Sequence, residues 1–152
     1  MKKFEELLPL INVWFEQKKL NNLQKQKLKF IEEFGELTGA HLKNNEPLKQ
    51  DGLGDSIVVI IGLAKIKGVK IDMSKFNYYE LNEKTFDDTY WGIIDDVKND
   101  RFNKALQGLI YLSSQFLGLA YVECLNIAWN EIKDRQGETV NGSFVKNEKQ
   151  NK

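Results

Sequence analysis

The sequence predicts an all-α fold, a bundle of about five or six helices in one domain. Apolar residues recur at spacings of three and four along most of the chain, which is the period of an amphipathic helix. Only two prolines, Pro9 and Pro47, are available to interrupt such helices. One β-branched run, at residues 56–61, would suit a strand, but no second strong strand candidate lies nearby to pair with it. With 152 residues, the chain has the length of a single domain.

The first half of the chain predicts three helices. Residues 4–19 carry an amphipathic pattern, with Pro9 either kinking this helix or lying at its start. Residues 23–43 form the second predicted helix, and the turn at 44–47 follows because Pro47 disfavours helical backbone before it. Residues 48–67 remain apolar well past the β-branched run, so we predict a mostly buried helix that ends at Gly68.

The second half is predicted to be helical again after an irregular stretch. Residues 77–79 are predicted as loop, and a short helix is predicted over residues 85–97. Helical spacing returns over residues 101–121 and 122–135. Residues 1–140 are thus predicted to form the domain, and residues 141–152 a polar C-terminal tail that begins with an Asn-Gly turn.

Composition excludes several classes of protein. The 22 basic residues balance 22 acidic ones, whereas a general nucleic-acid binder normally carries a basic excess. A single cysteine, Cys124, excludes an internal disulfide and a cysteine-rich zinc site. The longest apolar run, residues 57–64, is far too short to span a bilayer. We therefore expect a soluble, cytoplasmic protein with no membrane or nucleic-acid partner.

An acidic group lies on the second predicted helix. Glu33 and Glu36 lie about 60° apart on one face, and Glu32 adjoins them. Like charges at this spacing repel, and a bound cation would reverse that cost. An ordinary solvated acidic face is the alternative interpretation of this group.

A second acidic pair raises the odds of a metal site. Asp51 and Asp55 are four residues apart and point along the face of the third helix that should enter the core. Buried carboxylates are costly unless they are paired or bound to metal. Two helices joined by a short turn would bring both pairs together as an oxygen cage that suits Mg²⁺.

These blocks resemble a known family. Glu33-x-x-Glu36, a turn, and then Asp51-Gly-Leu-Gly-Asp55 running into an apolar helix is similar to the MazG-like all-α nucleoside triphosphate pyrophosphohydrolases, whose signature is Glu-x-x-Glu followed by Glu-x-x-Asp. The block at residues 124–146 is similar to the C-terminal ending of phage-encoded members. One departure is Gly52, where the family has its third acidic ligand; Asp51 would substitute for it, and one or two metals remain open.

The resemblance implies Mg²⁺-dependent hydrolysis of a nucleoside or deoxynucleoside triphosphate to the monophosphate and pyrophosphate. Glu33, Glu36, Asp51 and Asp55 are then the candidate metal ligands, and Glu32 or Glu33 the candidate general base. Arg135, Lys133 and Lys146 are candidates for holding phosphates, and Asn126 and Asn130 for a base edge. For each of these polar residues, an ordinary exposed helix side chain is the competing interpretation.

Two other hypotheses remain open at this stage. The protein would be a non-catalytic helical nucleotide-binding or interaction module with a degenerate metal site, or an unrelated bundle with a solvated acidic face. We also predict a homodimer or homotetramer, because Phe4, Trp14, Phe15, Phe102 and Phe116 exceed what a thin bundle readily hides.

Overall fold

A computed structural model describes residues 1–76, 81 and 83–147, and it confirms the all-α class. Its six α-helices are α1 (Phe4–Gln17), α2 (Leu23–Leu42), α3 (Glu46–Lys67), α4 (Phe86–Lys98), α5 (Phe102–Leu112) and α6 (Tyr121–Ile132). A 3-10 turn at Met73–Lys75 follows α3, and a π-helical turn at Ser113–Leu117 continues α5. The predicted loop at 77–79 lies outside the described residues.

The helix boundaries follow from local chemistry. Asn22, Asn45 and Thr85 are the N-caps of α2, α3 and α4, and each side chain accepts a hydrogen bond from a backbone N–H of the first turn. Gly68 ends α3 in the left-handed conformation, with φ of 73°, as its sequence position predicted. Pro9 lies inside α1, on its exposed side, and its ring nitrogen cannot donate the backbone hydrogen bond that other residues of the helix make.

Helix α3 is the centre of the bundle. It packs most extensively against α2 and also contacts α1, α5 and α6, while α4 packs on α5. The β-branched run is helical, as predicted, because burial on nearly all sides decides its conformation. From Gly52 to Ala64, every residue is buried except Asp55, which is half-buried.

The C-terminal segment differs from the prediction of a tail that begins at residue 141. The strands β1 (Gly137–Val140) and β2 (Ser143–Lys146) form an antiparallel hairpin. Asn141 and Gly142 connect them with φ of 52° and 80°, the positive values that a two-residue hairpin turn requires. The expected boundary at 140/141 therefore runs through the hairpin, and residues 148–152 lie outside the described residues.

The aromatic argument for an oligomer was wrong in its particulars. Phe4, Trp14, Phe15 and Phe102 are buried within one chain, and only Phe116 of that set is exposed. Large apolar side chains are exposed elsewhere: Leu28 is 60% exposed, Leu42 77% and Trp91 61%.

Among the described residues, no single helix is both long and apolar enough to cross a membrane. One pair, Phe102–Leu117 with Tyr121–Ile132, passes on length and composition together, but it is bent by 112°.

Candidate functional site

Glu33 is the most deeply buried carboxylate of the predicted site. Helix α2 turns this residue toward α3, and only 7% of it is exposed. One carboxylate oxygen, Oε1, lies 3.0 Å from Lys29 Nζ. The other, Oε2, is buried without any hydrogen-bond partner. An unpaired buried carboxylate oxygen is costly, so this atom marks a place where a missing partner would stabilise the protein.

The two other acidic residues of α2 lie beside Glu33 but face solvent. Glu32 is exposed and pairs with Lys29 at 2.6 Å. Glu36 is exposed, and partial burial together with the negative charge of Glu33 raises its pKa. The predicted grouping of these carboxylates on one side of α2 is therefore present.

Carboxylates from three helices lie around Asp55. Burial raises its pKa to about 7, and repulsion from Glu33 of α2, Glu131 of α6 and Asp51 of its own helix adds to the shift. Arg135 opposes the shift by attraction. A carboxyl group shifted this far holds a proton near neutral pH unless a cation replaces it. The local charge balance therefore favours a bound cation.

Gly52 explains why the acidic residue of α3 lies one position earlier than the resemblance implies. A Cβ atom at position 52 would lie 2.8 Å from the backbone Cα and N of Leu37, because α2 and α3 cross there in near contact. A carboxylate at this position would be directed at helix backbone rather than at Glu33. Asp51, half-buried and one turn before Asp55, carries the charge instead.

The acidic side chains are near one another without forming a finished metal cage. Within residues 1–76, 81 and 83–147, no three acidic, histidine or cysteine side chains are close enough to hold a metal ion as they stand. The donor set nevertheless fits a hard cation, because it consists of carboxylates alone. The unpartnered Glu33 Oε2 and the raised pKa of Asp55 support the same fit. Binding would require these side chains to rotate toward a shared ion.

A pocket of about 350 Å³ adjoins the acidic group and collects three cations. Lys29, Arg135 and Lys146 lie in its wall, together with Glu32. The hairpin forms one side, and Phe144 packs edge-on against Trp14 with ring centroids 5.7 Å apart. Positive side chains beside carboxylates are the arrangement that a metal-bound phosphate chain requires. The remaining lining residues are Trp14, Phe15, Leu20, Gln26, Val58, Val59, Ser143 and Phe144.

Three predicted substrate contacts are not part of this pocket. Asn126 is buried, and its side-chain amide clamps the N-terminus: Oδ1 accepts from Lys2 N at 3.0 Å, and Nδ2 donates to Lys2 O at 2.8 Å. The other Nδ2 hydrogen bond goes to Val122 O. Asn130 and Lys133 are exposed and do not line the pocket.

A larger pocket, of about 550 Å³, lies between α4 and α5 and contains none of the predicted site residues. Arg101 in its wall is already paired with Asp95 at 2.5 Å and with Asp96 at 2.7 Å. The volume alone therefore does not make it the better candidate.

Sequence reasoning missed two residues of the site. Lys29 precedes Glu32 and Glu33 by three and four residues, the spacing at which helical side chains of opposite charge pair. Glu131 lies in the last turn of α6, and its place beside Asp55 depends on how α6 packs against α3. Lys29 could therefore have been found from the local sequence pattern, whereas Glu131 could not.

Comparison with known proteins gives one partial similarity. The chain is 38% identical over 68 residues to the "uncharacterized 18.2 kDa protein in rep-hol intergenic region" of Haemophilus phage HP1 (strain HP1c1). The matched stretch is 43% of this chain and 42% of the phage protein, so the chain spans less than half of that relative. No protein-family model matches the chain, and no solved structure matches it.

Proposed function

We propose that this protein is a Mg²⁺-dependent nucleoside triphosphate pyrophosphohydrolase that converts a nucleoside or deoxynucleoside triphosphate to the monophosphate and pyrophosphate in the cytoplasm. The observation that carries the proposal is the buried, unpartnered Oε2 of Glu33 beside Asp55, whose pKa is raised by burial and further by surrounding carboxylates. Both features support the proposal, because a bound cation would offset the cost of burying these carboxylates together. The resemblance of the acidic blocks to MazG-like proteins supplies the reaction class.

The metal ligands in this proposal come from two neighbouring helices. Glu33 and Glu36 of α2 would bind Mg²⁺ together with Asp55 of α3, and Asp51 would bind through a water or directly. When bound, Mg²⁺ would neutralise phosphate oxygens and make phosphorus more susceptible to attack. Glu131, which the sequence did not suggest, lies close enough to raise the pKa of Asp55 and would help hold the ion's waters.

The chain's own side chains then orient the substrate and move the proton. Arg135 and Lys146 would hold phosphate oxygens at the wall of the pocket. A water in line with the scissile bond attacks phosphorus, and its proton passes to Glu32 or Glu33. Glu32 suits this role because it lines the pocket and is exposed to incoming water. The bond to the leaving pyrophosphate breaks as the new bond to the water oxygen forms.

The test is pyrophosphate release from a panel of nucleoside triphosphates with Mg²⁺. Glu36→Gln and Asp55→Asn should each abolish turnover while the helical spectrum stays unchanged. Glu5→Gln and Asp87→Asn are matched controls on the exposed faces of α1 and α4, and they should retain activity. Near-normal activity in both site variants would refute the metal assignment. A small effect of Asp51→Asn on turnover would mean that Asp51 contacts the ion only through a water molecule.

A non-catalytic nucleotide-binding or interaction module is the second candidate. It is favoured by the open spacing of the acidic side chains, none of which forms a ready three-ligand site within the described ranges. Nucleotide binding that is saturable but gives no pyrophosphate with any member of the panel would select this candidate over the enzyme.

We also propose that the protein is a homodimer or homotetramer. The support is a set of exposed apolar side chains, Leu28, Ile31 and Leu42 of α2 and Trp91 of α4. The two helices are neighbours, because Tyr90 stacks on Phe34 with ring centroids 4.7 Å apart. Exposed apolar surface of this kind is stabilised by covering it in an assembly.

A further inference from the structure

Lys29 occupies the position from which a cation would neutralise the acidic group. Its Nζ lies 2.6 Å from Glu32 Oε1 and 3.0 Å from Glu33 Oε1. The ammonium group therefore lies between the two carboxylates as their shared counter-ion.

The same side chain also lies in the wall of the 350 Å³ pocket, where Arg135 and Lys146 provide the other positive charges. A lysine stem has four flexible carbons and ends in a compact charge, so it reaches alternative partners with little backbone movement. Lys29 thus has two sets of partners within its reach. One is the carboxylate pair, and the other is an anion in the pocket.

A divalent ion on the unpartnered Oε2 of Glu33 would lie next to the ammonium group of Lys29, which donates to Oε1 of the same carboxylate. The two positive charges would repel each other at this short range, and each would reduce the negative charge that Glu33 offers to the other. Entry of the metal would therefore weaken or displace the Lys29–Glu33 contact.

We propose that Lys29 is a built-in counter-ion that competes with the metal for Glu33 and moves to a phosphate oxygen when metal and substrate bind. This inference rests on the proposed function, since it takes the carboxylates to be metal ligands. It assigns Lys29 a role in which metal entry and phosphate capture are linked. Substrate phosphate favours metal binding by drawing Lys29 away, and by thermodynamic reciprocity the metal favours phosphate binding.

The first experiment measures binding of Mn²⁺ alone, a paramagnetic probe for an oxygen site, by electron paramagnetic resonance. Lys29→Met should bind Mn²⁺ about fivefold more tightly than the wild type, since a half-exposed ion pair of about 1 kcal/mol no longer competes. Lys25→Met is the matched control. It removes the same charge one turn earlier on α2, from an exposed residue with no salt bridge to the described residues, and should leave Mn²⁺ binding unchanged.

The second measurement is affinity for inorganic pyrophosphate in saturating Mg²⁺. Lys29→Met should weaken it about tenfold, because a hydrogen bond from a charged donor to phosphate is lost. Lys29→Arg is a second variant, which tests the same role if the Lys29→Met protein does not fold. Its forked guanidinium pairs better with carboxylates, so it should weaken Mn²⁺ binding. Unchanged or weaker Mn²⁺ binding in folded Lys29→Met overturns the counter-ion role.

Asp55→Asn distinguishes failure of the proposed metal site from failure of the role proposed for Lys29. If this variant binds Mn²⁺ as the wild type does, the metal site itself is wrong, and the inference falls with it. If Asp55→Asn abolishes Mn²⁺ binding while Lys29→Met equals both Lys25→Met and the wild type, the metal site stands and only the role of Lys29 is refuted.

Discussion

The close crossing of α2 and α3 at Gly52 makes a quantitative prediction about stability. In Gly52→Ala, the new Cβ would lie 2.8 Å from the backbone of Leu37, closer than ordinary van der Waals contact. Backbone atoms cannot rotate away as the end of a flexible side chain can. The two helices would therefore have to separate along the most extensive interface in the bundle.

Two opposing terms set the magnitude. Replacing glycine by alanine inside a helix is worth about 1 kcal/mol of stability through helix propensity. Overpacking a well-filled interior costs about 1–3 kcal/mol, and a clash with backbone places Gly52→Ala at the upper end of that range. We therefore expect the free energy of unfolding to fall by about 1–2 kcal/mol in this variant.

The matched control is Gly39→Ala on α2, where a Cβ would have nothing within 4 Å. Here only the propensity term acts, so the free energy of unfolding should rise by up to about 1 kcal/mol. Urea unfolding followed by circular dichroism measures both variants. A Gly52→Ala protein as stable as Gly39→Ala would refute the described helix crossing. It would also reopen position 52 to a side chain directed at the metal site.

The remaining predictions concern pH, assembly and completeness of the site. Folding raises the pKa of Asp55 from 3.8 to about 7, so the folded chain keeps this proton over a pH range in which the unfolded chain has lost it. Without metal, the free energy of unfolding should therefore fall by up to about 4 kcal/mol as the pH rises between these two values. Asp55→Asn should remove most of that dependence in urea titrations at several pH values. Light scattering at micromolar concentration should show a dimer or tetramer, and Leu42→Glu or Trp91→Glu should shift it toward the monomer; a fully active wild-type monomer would contradict this. Mixing inactive Asp55→Asn and Arg135→Ala chains should recover no activity, because Arg135 already lies near Asp55 in the same chain.

The fold could be predicted from the sequence because most of the features that determine it are local along the chain. The caps Asn22, Asn45 and Thr85 and the terminator Gly68 act on their own helices, so the boundaries of α2, α3 and α4 could be placed within a few residues. The helical state of residues 56–61 depends instead on burial within the bundle. It was predictable because no partner strand was available. The hairpin was missed because β1 and β2 are only four residues long each and are too polar to show a clear strand pattern.

Only part of the candidate site could be predicted from the sequence, and the reason is physical. Helical spacing places Glu33 and Glu36, or Asp51 and Asp55, on one face, and that much follows from 100° per residue. Which residues of α6 approach them depends on the packing of α6 against α3, which spacing within one helix does not determine. Asn126 shows the same limit. As a polar residue in a promising block it suggested recognition of a base, but its position opposite the N-terminus commits it to the backbone of Lys2.

The proximity of the acidic side chains at the candidate site makes this arrangement costly to fold. Glycine at position 52 lets α2 and α3 approach closely, and this approach places Glu33 near Asp55. Folding therefore buries Asp55 and brings like charges close to it, and its raised pKa reflects both costs, with burial the larger. A cation that binds only the folded arrangement removes the repulsion and stabilises the protein by mass action. On the proposed function, Mg²⁺ should thus raise the melting temperature of the wild type, with little effect on Asp55→Asn. The helix crossing would then be the structural cause of both the electrostatic strain and the affinity for metal.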